Sequence, residues 1–492
     1  MPLILTAAGC VSDGLRTLEM AGRATQPAVQ SKRERAPTLV ERLAAFVCRA
    51  SWKEISQPAR EQLKLRVLDS LGCAVGALGA EVPAIVRAQV QEFGGAPLAS
   101  LIGAGKSAPD RAALYNGALV RYLDFNDSYL APGETCHPSD NLAAVLAACE
   151  YAHADGRRLL TALAVAYQVQ NRLSDLAPVR AKGFDHTTQG AYAAAAGVAR
   201  ALGLDERRTA NAIAVAGTSL NALRVTRTGE LSHWKGLAYP ATAAGATQAA
   251  FLARRGITGP REVFEGNKGF IDTIAGPFEI DWSQEDLESV RGTILKRYDA
   301  EIHSQSAIEA LLELRAQHEI HAGAVERIEL DTFQVAYDII GGGQEGGKRS
   351  VTTKEQADHS LPYLLAVALL DGQVLPEQYE PQRIAAHDVQ ELLRHVEVRP
   401  DAELSRRFPQ QHSARVRLHL HDGRLLEREQ HDYEGFHTRP MGWDAVAAKF
   451  DRLSAGQIDR ERRARIKETV GDLEQLTVEQ LARLLAMPGT RE

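Results

Sequence analysis

The chain has 492 residues, of which 45% are hydrophobic, enough for a large core and, at about 150 residues per domain, for several domains. A formal charge of -6 and a pI near 6.2 exclude a broad basic footprint for nucleic acid, so any anion binding must be local. No run reaches the ~18 apolar residues of a membrane span, and the five cysteines (Cys10, Cys48, Cys73, Cys136, Cys149) form no C-x-x-C pair, which argues against a disulfide framework and the usual zinc or iron–sulfur ligand sets.

Residues 1–36 show little periodicity and read as a flexible extension; their start, MPLILTAAGCVSDGLRTLEM, lacks the positively charged beginning of a secretory signal, which points to a cytoplasmic protein. Residues 37–291 are dominated by helical patterns rich in Ala, Leu and Gly, such as LVERLAAFV, LAAVLAACEYA, LLTALAVAYQVQNRL and GAYAAAAGVARALG. Small residues let helices approach closely, so this stretch predicts one helical domain. From residue 292 the texture changes. VERIELDTF (325–333) and HVEVRP (395–400) alternate as strands do, and ARVRLHLHDGRLLERE predicts a hairpin turning at Asp422-Gly423. With the helical stretches SAIEALLELRAQ and LPYLLAVALLDG between them, residues 292–432 read as an α+β domain. Residues 433–492 return to helix (WDAVAAKFDRL, LTVEQLARLLAM) and are expected to pack back onto the first domain. The fold class is therefore mainly α, a large all-helical domain carrying an inserted α+β domain. GGGQEGGKRS (341–350) reads as a flexible loop without the spacing of a phosphate loop.

The segment LDFNDSYLAPGETCHPSDN, 123–141, concentrates acid/base groups just before a proline. Pro138 favours an extended residue before it and a helix start after it, which sets His137 at a helix N-terminus, with Ser139 or Asp140 as candidate cap. Read by itself the segment could be a capped polar loop or, less readily, a metal site using Asp124, Asp127 and His137, whose spacing matches no recognised ligand motif. Recurrence shifts the balance toward a ligand site. GFDHTTQG sets His186 before another small-residue helix, SHWKG sets Lys235 a few residues before a third, KRYDAEIHSQSA sets Lys296 and His303 before a fourth, and ADHSLPYLLAVALLDG sets His359 and Tyr363 at the start of a fifth. Helix dipoles and cations converging in this way predict a site for a polyanion.

The stretches DFNDSYL…HPSDN, GFDHTTQG, SHWKG, KRY…EIHSQSA and ADHSLPYLLAVALLDG resemble the motifs of the 2-methylcitrate dehydratase family, the MmgE/PrpD superfamily that also holds cis-aconitate decarboxylase. The resemblance runs from about residue 38 to residue 455, with the motifs in the family's order. It implies that the α+β domain is a lid, that the protein is a homodimer, and that it dehydrates 2-methylcitrate to 2-methyl-cis-aconitate in propionate catabolism with no cofactor and no metal. By motif match it puts His137, Asp124, His186, Lys235 and Tyr363 in catalysis and Ser128, Lys296 and His303 in substrate binding. Ser128 stands where the family is expected to carry Thr. A small tricarboxylate is the implied partner, with neither nucleic acid nor membrane.

The chemistry suits these residue types independently. Dehydrating a tertiary alcohol next to a carboxylate-bearing methine needs a base for the carbon-bound proton, an acid for the departing hydroxyl, and cations for charge developing on the carboxylate. His137 is the favoured acid/base group, with Lys235 and Lys296 as carboxylate ligands and Asp124 orienting a neighbour. A cis-aconitate decarboxylase or a non-catalytic tricarboxylate-binding protein would use the same groups and are the alternatives.

Overall fold

The first helical stretch opens at Thr38, whose N–H donates to the Glu41 carboxylate at 2.9 Å, and runs over Leu39–Arg49 with Leu39, Val40, Leu43, Ala44, Phe46 and Val47 facing inward. The structure, a computed structural model, describes residues 35–486, so the extension expected over 1–36 lies almost wholly outside the described residues. From Thr38 onward the chain holds together as one unit.

Helices Gln57–Gly76, Pro109–Tyr122, Leu142–Tyr151, Gly156–Leu176, Thr187–Leu202 and Trp234–Arg254 build the first core. Thr187–Leu202 runs through its middle, buried over nearly its whole length. The alanines and glycines of this helix are what permit such burial: a Cβ on Gly190 would come within 2.4 Å of the Tyr239 ring, so only glycine lets the two helices meet there. The C-terminal helices Trp443–Ser454, Arg460–Gly471 and Val478–Ala486 contribute Val446, Phe450, Ile466, Val470, Leu481 and Leu485 to this core. Here too glycine allows the approach, since a Cβ on Gly156 would overlap the Leu473 carbonyl.

A second core collects apolar residues between 300 and 420. Its sheet has four strands in the spatial order Val396–Pro400, Val325–Thr332, Ala414–Leu420, Leu425–Gln430, the first pair parallel and the others antiparallel. Strand Ala414–Leu420 alternates strictly between buried and half-buried residues, the period-two signature of a sheet with one face on a core. The hairpin turns at Asp422-Gly423, Gly423 taking φ +88°, where glycine meets no steric penalty. Helices Gln305–Gln317 and Leu361–Asp371 pack on the sheet. Among the described residues no single helix is long and apolar enough to cross a membrane.

Candidate active site

The loop after Pro109–Tyr122 turns sharply because Asp124 adopts φ +59°, a left-handed conformation that Asp tolerates better than most residues. This turn drives the Asp124 carboxylate into the protein beside Arg121 (i–3), Lys235 Nζ at 3.2 Å and Lys296 Nζ at 3.3 Å. Burial works to raise its pKa, but Arg121, Lys235 and Lys296 pull it well below the usual carboxylate range. Lys296 also donates to the Asp124 carbonyl. Its segment is tied to the same loop by paired backbone bonds between Ser128 and Ile294, at 2.9 and 2.8 Å.

His137 follows the short strand Glu134–Cys136. Its Nδ1 lies 2.7 Å from the Asp127 carbonyl and 3.1 Å from Ser128 Oγ. The carbonyl can only accept, so Nδ1 carries the proton and the lone pair is left on Nε2. Burial, then Arg121 and Lys296, hold the ring well below its ordinary pKa, so it is neutral at pH 7. Neither expected cap caps the turn Pro138–Asn141. Ser139 Oγ donates to Asp127 Oδ1 at 2.6 Å and Asp140 accepts from Asn126 Nδ2 at 2.8 Å, because the backbone there turns too tightly before the helix Leu142–Tyr151 begins.

Two more histidines each follow an aspartate. His186 Nδ1 lies 3.3 Å from Asp185 Oδ1, and Asp185 is fixed from the other side by Arg227 Nε at 2.8 Å. His359 Nδ1 lies 2.5 Å from Asp358 Oδ1. Burial lowers both rings, His186 to about 3 with Arg227 contributing and His359 to about 4 with Lys235 contributing. The Lys235 ammonium is 3.2 Å from each of Asp124 Oδ2, Asp358 Oδ1 and His359 Nδ1. Asp124, Asp358 and His359 are the one group among the described residues with ligand atoms close enough, within 4.8 Å of one another, to share a metal ion. That position is taken by the lysine's cation, and Asp127, which the disfavoured metal reading of the sequence paired with Asp124, faces Ser139 and Tyr167.

These groups surround a small cavity of about 50 Å³, lined by His137, His186 and His359, by the cations Arg121, Arg180, Arg224, Arg227 and Lys296, by the carboxylates Asp124, Glu134, Glu301 and Glu345, and by Thr135 and Ile339. Both parts of the chain contribute, so the cavity lies where the two cores meet. Several polar atoms on its wall are buried without a hydrogen-bond partner: His186 Nε2, Arg224 Nε and Glu345 Oε2. Such atoms are costly unless a ligand satisfies them.

The model of the MmgE/PrpD N-terminal domain matches residues 41–283 and that of the MmgE/PrpD C-terminal domain residues 298–475. The chain belongs to the MmgE/PrpD family. It is 30% identical over 350 residues to the 2-methylcitrate dehydratase of Escherichia coli strain K12, covering 64% of this chain and 68% of that protein. It is 28% identical over 456 residues to an alkylcitrate dehydratase of a fungus, covering 84% and 87%, and 26% identical over 444 residues to the mitochondrial 2-methylcitrate dehydratase of Yarrowia lipolytica, covering 82% of each.

Of the residues that the sequence singles out in this MmgE/PrpD chain, the structure brings Asp124, His137, His186 and Lys296 to the cavity wall. Ser128 stands behind them against His137, and Lys235, inside the first turn of the helix Trp234–Arg254 rather than a few residues before it, stands behind Asp124 and His359. His303 is not on the wall: its ring sits among Phe333, Phe408 and His412, and neither ring nitrogen has a hydrogen-bond partner, Glu301 Oε1 lying 3.9 Å from Nε2. Tyr363 lies in the second core with its hydroxyl donating to the Gln378 carbonyl. The helix Leu361–Asp371 is buried on every side over most of its length, so the part of its motif that reaches the cavity is His359, one turn earlier. Arg121, Arg180, Arg224, Arg227, Glu301 and Glu345 were not anticipated. The repeated Asp-His dipeptide, 185–186 and 358–359, was the available signal for the paired geometry.

Proposed function

We propose that this protein removes water from 2-methylcitrate to give 2-methyl-cis-aconitate. The observation that carries this reading is the combination on one wall: three buried histidines facing five cationic side chains in one cavity. Cations there suit a polyanion, and neutral imidazoles suit abstraction of a proton from carbon.

His137 is placed as the base, since its Nδ1–H is committed to the Asp127 carbonyl and its Nε2 lone pair is free to take the methine proton beside the substrate carboxylate. Lys296 holds that carboxylate and offsets the charge that builds on it. As the C–H electrons form the double bond, the C–O bond of the tertiary alcohol breaks, and the hydroxyl leaves as water with a proton from a second group. His359, whose Nδ1 is held by Asp358 at 2.5 Å, is that acid: the entering trianion raises its pKa, and the Asp358 carboxylate supports the imidazolium. His186 flanks His137 edge-on, with ring centroids 5.5 Å apart, and Asp185 and Arg227 fix its position.

The test is turnover of 2-methylcitrate, followed by ultraviolet absorbance of the conjugated product, beside release of carbon dioxide from cis-aconitate. Water loss from 2-methylcitrate without decarboxylation is expected. Carbon dioxide release from cis-aconitate with no action on 2-methylcitrate would replace this reading by a decarboxylase.

A further inference from the structure

Two of the five cationic side chains on the cavity wall answer to one carboxylate from a loop. Arg180 Nη2 lies 3.0 Å and Arg224 Nη2 2.6 Å from the same oxygen, Glu345 Oε1. The arrangement is incomplete on both sides. Glu345 Oε2 and Arg224 Nε are buried with no hydrogen-bond partner, although a guanidinium fork and a carboxylate can match each other through two bonds. A carboxylate free to choose its own position between Arg180 and Arg224 could make the contacts that the tethered Glu345 misses.

The tether is built to give way. Glu345 stands in GGGQEGGKRS, with glycines at 341, 342, 343, 346 and 347. Gly342 and Gly346 take φ +105° and +100°, and a Cβ added at Gly342, Gly346 or Gly347 would meet nothing within 4 Å. The loop is held at its start, where Gly343 N bonds the Tyr337 carbonyl and Glu345 N the Asp338 carbonyl, and at its end, where the Lys348 carbonyl accepts from Ser360 Oγ at 2.5 Å and Arg349 donates to the Val396 carbonyl at 2.9 Å, so the freedom lies at Gly346 and Gly347 between them. Charge balance points the same way. Four carboxylates already face five cations on the wall, so a trianion entering without displacing any of them would leave the buried site strongly negative.

We propose that Arg180 and Arg224 form a subsite for one carboxylate of a tricarboxylate ligand, which Glu345 occupies in the empty protein and vacates when the ligand binds. The proposal rests on the reading of the cavity as a tricarboxylate site, and it assigns to that reading two anchoring residues and a placeholder. It follows that ligand binding frees the loop, the reverse of a loop that closes over its ligand.

The experiment uses the full-length protein and citrate as probe. Calorimetry first measures citrate binding; no binding overturns the tricarboxylate reading and the proposal with it. With citrate bound, hydrogen exchange in peptides covering 341–350 is expected to speed up. Unchanged or slower exchange overturns the subsite and leaves the tricarboxylate reading standing. Independently, Glu345→Gln removes the competing charge at nearly constant size, and citrate is expected to bind about tenfold more tightly, the scale of one charge-assisted contact. Equal or weaker binding by a folded Glu345→Gln protein also overturns the proposal.

Discussion

Lys235→Met tests whether the buried charge cluster is balanced as its geometry says. The substitution keeps an unbranched stem of similar length and removes an ammonium that is 3% exposed and 3.2 Å from Asp124, Asp358 and His359 alike. Removing one partner of a buried ion pair costs about 3–5 kcal/mol. Asp124 would retain Arg121 and Lys296, and Asp358 would retain Lys354 at 2.6 Å, so the low end, about 3 kcal/mol, is expected. For a chain of this length a kilocalorie corresponds to roughly 1–2 °C, so Tm should fall by about 3 to 6 °C in a calorimetric or circular-dichroism melt. Lys235→Ala adds a second readout, because it empties the space between three groups whose ligand atoms lie within 4.8 Å of one another. Zinc at about a hundred times its Kd should then return about 2.7 kcal/mol to the alanine variant and leave wild type unmoved, the lysine cation being in the way. A methionine variant that melts with wild type would refute the charge balance. An alanine variant indifferent to zinc would refute the geometry of the cluster.

His137→Asn should lower kcat by about 10²- to 10⁴-fold, the range for a general acid or base, with a melting temperature close to wild type; a folded variant with near-normal kcat would make His137 a loop residue only. Tyr363→Phe removes the hydroxyl that donates to the Gln378 carbonyl and should cost about 1–2 kcal/mol of stability with kcat unchanged, whereas a large loss of kcat in a folded variant would bring Tyr363 to the chemistry. Stability should fall on acidification. Buried His137, His186, His303, His359 and His412 all have pKa values lowered from 6.5, so below pH 6.5 each takes up a proton only on unfolding. Burial raises Asp140 and Asp299 to about 7, and these two bind protons in the folded state that the unfolded chain has released, which opposes the trend. Asp127, Glu134, Asp175 and Glu301, also raised by burial, add to that opposition at lower pH, so the histidines set the sign between pH 7 and 6 and the slope eases below that. Urea unfolding at pH 7, 6 and 5 measures this, and a flat profile between pH 7 and 6 would show that the histidines are not held neutral.

How far the sequence reaches is clearest where a local rule acts alone. Period-two alternation in ARVRLHL and the Asp422-Gly423 turn specify a hairpin because both depend on neighbouring residues, and the strands and turn are found there. Small residues in GAYAAAAGVARAL specify a helix that others can approach closely, and that helix is the buried centre of the first core. The placement of His137, His186 and His359 ahead of helices was equally local, and it was readable. What tertiary structure alone decided was which charges meet. Arg180 and Arg224 lie in polar stretches far from the glycine-rich loop of Glu345, and the three become one cluster only because that loop of the second part of the chain reaches the first. Lys235 is separated by more than a hundred residues from both Asp124 and Asp358, so no spacing rule could show that its ammonium is enclosed by carboxylates. Tyr363 sits four residues after His359 on a helix apolar almost all round, whose sequence therefore marks no outward face. The direction of each side chain there, and the neutrality of each buried histidine, follow from burial and from charges brought near by the fold, which are properties of distance in space and have no counterpart in distance along the chain.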